Sequence, residues 1–284
     1  MQTHDDFLRQ YIDRLIQLAF DEDLLTGDIA TEGIIPTRQT AEAVITAKAD
    51  GVVSGLDIAR MVIDKMGENT FEALVDDGDE VTKGQTIAII RAPYNNLLSC
   101  ERIMLNFMQR MSGIATMTRR LINLMADNHT VLLDTRKTAP GHRMTDKMAV
   151  RHGGGFNHRM GLYDMAMIKD NHIKAAGGIA PAVAALRKKC ALSVKIEVET
   201  TNLQEVEEAL QAGADIIMLD NMDNKTMTQA VKLIAGRAKT EASGNINEQT
   251  IAGVAATGVD YISVGALTHS VKALDISMNL RQQA

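Results

Sequence analysis

The spacing of apolar residues changes once within the first hundred residues. From 5 to 20, apolar side chains recur at three- and four-residue intervals with polar residues between them, which predicts an amphipathic helix. From 40 to 92, short runs rich in β-branched residues are broken by Gly and Asp, which predicts strands and turns around a helix near 56–66. The piece 76–85 resembles the strand-turn-strand unit of the barrel-sandwich hybrids found in biotinyl and lipoyl carriers. No carrier lysine lies at a tight hairpin tip, so we expect a structural role.

A long helical pattern covers 99–126, with Ser99 as the expected N-cap. Its methionines are expected to fill the core rather than to bind a cofactor. Beyond this helix, apolar runs end in polar or small residues. The last four ends are 21, 23 and 22 residues apart, at Glu199, Asp220, Ser243 and Gly265. This interval fits a repeat of strand, loop, helix and loop.

Strands that alternate with helices predict a parallel sheet, and polar residues at the strand ends favour a TIM-like α/β barrel. An open doubly wound sheet is the alternative, although no Gly-x-Gly-x-x-Gly motif follows a first strand. The length of 284 residues fits two domains. We expect an N-terminal α+β, barrel-sandwich-like domain over 1–112, with the tail 273–284 packing back on it, and an α/β-barrel domain over 113–272.

Composition and charge exclude several classes of protein. The chain has 36 acidic and 30 basic residues, and its net charge of -6 opposes non-specific binding to nucleic acid or to an anionic membrane. No run approaches 18 apolar residues, and the polar, acidic start is unlike a signal peptide. The two cysteines, Cys100 and Cys190, lack metal-site spacing and are too few for a disulfide framework. We therefore expect a cytoplasmic protein whose partners are neither nucleic acid nor membrane.

Positive charge is concentrated between 134 and 174, where eight Lys or Arg residues accompany four acidic ones and four of the seven histidines. The simplest interpretation is a solvated basic face. However, Arg136 and Lys137 immediately follow one predicted strand, and Lys169 ends the next clear one. In a barrel these cations converge on the mouth, where they form a pocket for a ligand with several negative charges.

Acidic and small residues end the remaining strands. Glu199 and Asp220 are expected to pair with the cations, hold Mg²⁺ or stabilise positive charge that develops in a transition state. Glu197 lies on the same strand face as Glu199 and is either functional or an internal ion-pair partner. The small, Gly-containing ends at 243–246 and 264–266 allow backbone N–H groups to approach a phosphate closely.

Eight ordered motifs carry a family resemblance. They are Glu101-Arg-Ile-Met-Leu-Asn-Phe with Ser112-Gly-Ile-Ala-Thr, Asp134-Thr-Arg-Lys-Thr-Ala-Pro-Gly, Gly153-Gly-Gly-Phe-Asn-His-Arg-Met-Gly-Leu, Ile168-Lys-Asp-Asn-His, Glu197-Val-Glu, Met218-Leu-Asp-Asn, Glu241-Ala-Ser-Gly-Asn-Ile and Ile262-Ser-Val-Gly-Ala-Leu-Thr. They closely resemble quinolinate phosphoribosyltransferase, also called nicotinate-nucleotide pyrophosphorylase (carboxylating). The resemblance extends over essentially the whole chain, with no departure at the motif positions.

The resemblance implies an incomplete TIM-like barrel and a type II phosphoribosyltransferase of de novo NAD synthesis. Such enzymes make nicotinate mononucleotide, CO₂ and pyrophosphate from quinolinate and phosphoribosyl pyrophosphate, with Mg²⁺. The resemblance also implies a homodimer with shared active sites, or a higher oligomer built from it.

The resemblance implies a role for each of twelve residues. Arg136, His158 and Arg159 would hold the quinolinate carboxylates, with Arg102 supplied by the neighbouring subunit. Lys137 and Lys169 would lie between the two substrates, and Ser243, Gly244, Asn245 and Gly265 would receive the 5-phosphate. Glu199 and Asp220 would bind the ribose hydroxyls, directly or through Mg²⁺. The catalytic set implied in this way is Lys137, Lys169, Glu199 and Asp220.

Two other kinds of function remain open at this point. A lysine at a barrel strand end, such as Lys169, is also the residue with which aldolases form a Schiff base. A non-catalytic binder of anionic metabolites would keep the same pocket without turnover. Within the resemblance itself, the related molybdenum-operon proteins share much of the fold and have an uncertain substrate.

Overall fold

The structure is a computed structural model that describes residues 4–35, 39–126 and 129–281. Contacts between Cα atoms divide the chain into two compact units, of which the first comprises 1–119, 138–154 and 270–284 and the second 120–137 and 155–269. These limits differ from the expected domain boundaries, because the first unit continues beyond 112 and also includes 138–154.

The described residues form helices and short strands in a regular succession. The helices are α1 (His4–Asp23), α2 (Ile29–Ile34), α3 (Leu56–Met66), α4 (Tyr94–Leu124), α5 (Arg143–His152), α6 (Asp170–Ala176), α7 (Ile179–Lys189), α8 (Leu203–Gln211), α9 (Asn224–Ile234), α10 (Ile251–Ala255) and α11 (Ala266–His269). The strands are β1 (Thr40–Ala47), β2 (Gly51–Val52), β3 (Thr70–Ala73), β4 (Glu80–Val81), β5 (Thr86–Pro93), β6 (Val131–Leu133), β7 (Ala166–Ile168), β8 (Ile196–Thr200), β9 (Ile216–Asp220), β10 (Lys239–Ser243), β11 (Tyr261–Ser263) and β12 (Ile276–Arg281).

The first unit is built on a four-stranded sheet with the order β12-β1-β5-β3. Its pairs are antiparallel, and β1 aligns Ala43 with Ile90 of β5 on one side and with Leu280 of β12 on the other. Ala43 and Ile90 are fully buried, so they contribute to the core of this unit. The C-terminal strand β12 therefore pairs within the first unit, where the tail was expected to pack.

The second unit contains a six-stranded parallel sheet with the order β6-β11-β10-β9-β8-β7. Helices connect most of its consecutive strands, and their buried residues face inward, as Val206 and Ala209 of α8 do. Side-chain caps fix two helix starts: Asn202 accepts from the Glu205 N–H at 2.9 Å, and Asp223 from the Thr226 N–H at 2.7 Å. The predicted α/β class, with a parallel sheet and a separate N-terminal α+β part, is confirmed.

Most predicted elements are present, but the predicted start of the long helix is wrong. Helix α4 begins at Tyr94, five residues before the expected cap. Ser99 lies within the helix, and its hydroxyl donates to the Asp28 carboxylate at 3.1 Å instead of capping α4. That carboxylate itself caps α2, since it accepts from the Thr31 N–H at 3.0 Å.

The methionines of α4 behave as the sequence predicts. Met104, Met108 and Met111 are fully buried, so they fill the core of the first unit. Among the described residues, no helix combines the length and the apolar character that a membrane crossing requires.

Candidate active site

A cavity of about 560 Å³ lies at the carboxyl ends of the parallel strands in the second unit. Sixteen residues line it: Thr135, Arg136, Lys137, His158, Arg159, Met167, Lys169, Glu199, Met218, Asp220, Asn221, Glu241, Ser243, Gly244, Asn245 and Ser263. They come from β7, β8, β9, β10 and β11 and from the segments that follow strands. Parallel strands bring these ends together, so residues distant in sequence meet in one cavity.

Four cations line the cavity: Arg136, Lys137, Arg159 and Lys169. Burial lowers the pKa of Arg159, and the nearby charge of Arg136 lowers it further. Because each positive charge disfavours the other, the two guanidinium groups form a pair that a dianion would stabilise. Arg159 is oriented by its backbone surroundings, since its Nη1 donates to the Met165 carbonyl at 3.0 Å.

A buried cluster of His158, Glu197 and Glu241 lies at the inner end of the cavity. The His158 Nε2 atom lies 3.1 Å from a Glu197 oxygen and 3.4 Å from a Glu241 oxygen, and all three side chains are at most 7% exposed. One donor atom of each residue lies within 4.8 Å of the other two, so the group could hold a metal ion. Three of its carboxylate oxygens are buried without a hydrogen-bond partner, namely Glu197 Oε1 and both oxygens of Glu241.

The contacts of His158 have opposite effects on the protonation of its ring. Burial lowers the pKa of His158, but the hydrogen bond to Glu197 and the nearby charges of Glu197 and Glu241 outweigh burial and raise it. In contrast, the Arg159 N–H donates to His158 Nδ1 at 2.8 Å, which requires an unprotonated Nδ1. A second ring proton would place two N–H donors against each other, so this geometry favours a neutral ring with its proton on Nε2. Burial raises the pKa of Glu197 to about 7.

Two further carboxylates lie nearer the cavity mouth. Glu199, at the end of β8, accepts from Lys169 Nζ at 2.5 Å, with side-chain exposures of 18% and 45%. Asp220, at the end of β9, accepts from the Asn221 side chain at 2.8 Å. Both carboxylates are partly exposed, so they can reach a ligand, whereas the more deeply buried Glu197 and Glu241 lie below them.

The loop after β10 brings backbone groups to the same cavity. Gly244 and Asn245 both have positive φ, at 97° and 51°, which turns the chain sharply after Ser243. A Cβ atom on Gly244 would collide with the Asn221 side chain. Asn221 also accepts from the Asn245 amide at 3.1 Å, so it ties this loop to the end of β9.

The structure brings together ten of the twelve residues expected at the site: Arg136, Lys137, His158, Arg159, Lys169, Glu199, Asp220, Ser243, Gly244 and Asn245. Gly265 does not line the cavity, but a Cβ atom there would come within 3.0 Å of the Lys137 side chain. Arg102 is exposed on α4 and belongs to the first unit. Their roles at the site stay predictions.

Sequence reasoning missed four polar residues of the cavity: Thr135, Asn221, Glu241 and Ser263. Glu241 lies two residues before Ser243 on β10, so strand alternation places both on one face and could have revealed it. Asn221 has a positive φ of 54°, and only the folded loop shows that its side chain contacts both Asp220 and Asn245.

Comparison with known proteins identifies the family. Residues 28–112 match the model described as "Quinolinate phosphoribosyl transferase, N-terminal domain", and 114–279 match the C-terminal domain of the same name. A probable nicotinate-nucleotide pyrophosphorylase (carboxylating) of Bacillus subtilis is 46% identical, over 94% of this chain and 92% of the relative. A mitochondrial quinolinate phosphoribosyltransferase (decarboxylating) of Nicotiana glauca is 44% identical, over 94% of this chain and 81% of the relative.

A solved structure leads to the same result. The nicotinate-nucleotide pyrophosphorylase from Francisella tularensis is 40% identical and superimposes with a TM-score of 0.92, over 96% of both chains. Both domains and the fold therefore agree with the same family. The chain therefore belongs to the quinolinate phosphoribosyltransferase family.

Proposed function

We propose that this chain transfers a phosphoribosyl group from phosphoribosyl pyrophosphate to quinolinate with loss of CO₂, the step that supplies nicotinate mononucleotide in de novo NAD synthesis. The family and the names of its relatives support this activity. The observation that carries it is a single cavity with four cations and two partly exposed carboxylates. A dicarboxylate together with a phosphate and a pyrophosphate requires such a concentration of positive charge.

Quinolinate is assigned to the side of the cavity that holds Arg136, His158 and Arg159. The mutual repulsion of the two guanidinium groups favours a ligand with two carboxylates over a ligand with one. Because both ring nitrogens of His158 already have protein partners, we assign this residue to the wall of the quinolinate site rather than to a charge contact through a ring nitrogen.

Phosphoribosyl pyrophosphate is assigned to the opposite side. Lys137 and Lys169 supply point charges for its anionic groups, and Ser243, Gly244 and Asn245 form the loop for the 5-phosphate. Gly265 contributes by leaving space for the Lys137 side chain. The Lys137 carbonyl accepts from the Thr268 hydroxyl at 2.9 Å, which fixes the backbone on which this lysine is carried.

Glu199 and Asp220 are the proposed contacts for the ribose hydroxyls and for Mg²⁺. Carboxylate oxygens suit Mg²⁺, and a partly exposed position leaves room for the waters and substrate oxygens that complete its shell. Magnesium bound with the substrate would neutralise part of the charge on the departing pyrophosphate.

The chemistry requires no protein nucleophile. The bond between ribose C1 and the pyrophosphate oxygen breaks, and its electron pair leaves with pyrophosphate. The pyridine nitrogen lone pair forms the new bond to C1, while the carboxylates of Glu199 and Asp220 stabilise the cationic ribose. The bond from C2 of the ring to its carboxylate then breaks, CO₂ leaves, and the pair on C2 takes up a proton. The residues act by orienting both substrates and by excluding water.

Arg102 is the residue that we assign to a neighbouring subunit. It is exposed on α4, so it is accessible to a second copy of the chain in a homodimer. The cytoplasm remains the proposed location: both cysteines are free thiols, which fits a reducing compartment. The Nicotiana glauca relative is named as mitochondrial.

A Schiff-base mechanism on Lys169 is less well supported. Catalytic amines of that kind are activated by an apolar pocket or by another cation. Lys169 instead forms an ion pair with Glu199 at 2.5 Å. Borohydride trapping of a carbonyl substrate on Lys169 would reverse this assignment.

The decisive experiment is an assay of CO₂ release from carboxyl-labelled quinolinate. We expect release only when both quinolinate and phosphoribosyl pyrophosphate are present, with nicotinate mononucleotide formed in equal amount. Binding of both substrates without release would indicate a non-catalytic binder. Absence of quinolinate binding would indicate a different substrate for the family fold, as in the molybdenum-operon relatives.

A further inference from the structure

The open edge of strand β6 carries a short segment that is not part of the regular sheet. Phe156 forms a parallel bridge with Leu133, in which the Phe156 N–H donates to the Leu132 carbonyl at 2.9 Å. The Asp134 N–H returns a bond to the Phe156 carbonyl at 3.2 Å. The segment 155–159 is therefore attached to the edge of the sheet that β11 leaves unpaired.

Beyond this bridge, hydrogen bonds to the Asp134 carboxylate hold the segment 155–159. Its Oδ2 accepts from the Asn157 side-chain amide at 2.6 Å, and its Oδ1 accepts from the His158 N–H at 2.9 Å. The Asp134 side chain is fully buried. Hydrogen bonds to a buried carboxylate are strong, and loss of this carboxylate removes the acceptor of two donors at once.

Asp134 holds Asn157 and His158 in this way, and Arg159 comes next in the segment. The Arg159 N–H donates to His158 Nδ1 at 2.8 Å, and the Arg159 guanidinium reaches the Met165 carbonyl, just before β7. His158 and Arg159 both line the cavity, whereas Asp134 does not. Asp134 thus acts on the cavity through the residues that it holds.

We propose that Asp134 is a positioning residue that sets the orientation of His158 and Arg159 and thereby the affinity for quinolinate. The inference rests on the proposed function, because quinolinate is assigned to Arg136 and Arg159. It predicts that a change at Asp134 affects quinolinate more than phosphoribosyl pyrophosphate. Lys137, three residues beyond Asp134, has its carbonyl held by the Thr268 hydroxyl, and the other groups assigned to phosphoribosyl pyrophosphate lie at the ends of other strands.

The contact with Asn157 offers a test by exchange of partners. In Asp134→Asn, an amide donor replaces one of the two acceptors, so either the Asn157 amide or the His158 N–H faces another donor. In Asn157→Asp, two carboxylates face each other. In the double variant D134N/N157D, the amide of residue 134 donates to the new carboxylate and its oxygen accepts from the His158 N–H. All of these groups are then satisfied again.

Steady-state kinetics on the full-length variants measure the effect. We expect D134N and N157D each to raise the KM for quinolinate by about tenfold or more, with the KM for phosphoribosyl pyrophosphate within about twofold. The double variant should recover most of the quinolinate KM. The matched control is Asp215→Asn. Asp215 precedes β9 at the amino end of the sheet, where it also accepts from a backbone N–H, that of Ile196 at 2.7 Å. Its loss should lower stability and leave the quinolinate KM unchanged.

Several outcomes would overturn the proposal. They are an unchanged quinolinate KM in D134N, an equal loss for both substrates, or no recovery in the double variant. If D134N does not fold, Asn157→Ala tests the same contact, and it should raise the quinolinate KM selectively by about threefold. Wild-type protein that releases no CO₂ from quinolinate would refute the proposed function. Wild-type activity without the selective effect would refute only the positioning role.

Discussion

Substitution of Arg159 by lysine tests the most specific feature of the site, the planar fork of its guanidinium group. Lysine keeps the charge but cannot present paired N–H groups to a carboxylate. In the structure, Nη1 of Arg159 donates to the Met165 carbonyl at 3.0 Å, which leaves further N–H groups of the fork for the cavity. A single ammonium group cannot serve both the carbonyl and a ligand in the same geometry.

The expected losses of quinolinate affinity and of folding stability follow from these two contacts. Loss of a hydrogen bond to a charged carboxylate costs about 1.5–3 kcal/mol. Arg159 is partly exposed, so we take about 2 kcal/mol, which corresponds to a roughly thirtyfold rise in the Kd for quinolinate. Loss of the Met165 contact costs about 1 kcal/mol of folding free energy, or a fall of about 2–4 °C in Tm.

Calorimetric titration of quinolinate into the protein measures the change in the quinolinate Kd directly. Nicotinate, which lacks the second carboxylate, serves as the matched ligand. It should bind more weakly than quinolinate, and R159K should change its Kd by a smaller factor. Arg237→Lys is the matched control protein, because Arg237 also donates from its guanidinium to backbone carbonyls, those of Ile234 and Leu233, but does not line the cavity. An unchanged quinolinate Kd in R159K, or the same loss in R237K, would refute the assignment.

Three further predictions concern the rest of the site. Arg136→Ala should raise the KM for quinolinate more than that for phosphoribosyl pyrophosphate in steady-state kinetics, and equal effects would contradict its assignment. Glu199→Gln and Asp220→Asn should increase the Mg²⁺ concentration needed for half-maximal activity while calorimetry shows unchanged quinolinate binding; an unaltered Mg²⁺ dependence would argue against both residues as metal contacts. Arg102→Ala and Lys137→Ala should each be nearly inactive, but co-expression should restore up to about a quarter of wild-type activity through hybrid dimers. Hybrid dimers, verified by mass, that stay inactive would mean that each site is built from one chain.

The sequence spacing predicted the strand ends because the second unit repeats the order strand, loop, helix and loop. Each of these strands is short, and a polar residue at or near its carboxyl end enters the cavity, as Glu199, Asp220 and Ser243 do. Strands β9 and β10 end at Asp220 and Ser243, as predicted. Since parallel strands align their carboxyl ends, the sequence positions of Glu199, Asp220 and Ser243 were enough to predict that they share one cavity.

Residues that act through tertiary contacts could not be predicted in this way. Asp134 ends a strand as Asp220 does, and nothing in its sequence context distinguishes the two. The difference is that Asp134 is fully buried against the segment 155–159, whereas Asp220 lines the cavity. Ser99 shows the same limit for a helix start. It suits an N-cap by residue type, but its hydroxyl is used by Asp28, which is distant in sequence.

The buried carboxylates help to explain how this cavity keeps two guanidinium groups close together. The charge of Arg136 lowers the pKa of Arg159, and the charges of Glu197 and Asp164 oppose that effect. Glu197 is fully buried on β8, below the partly exposed Glu199, so it offsets repulsion between the cations without occupying the place of a ligand carboxylate. A carboxylate directly beside the two guanidinium groups on the ligand side would compete with quinolinate for them. The buried negative charge therefore offsets the repulsion between the two guanidinium groups without occupying the place of a ligand carboxylate.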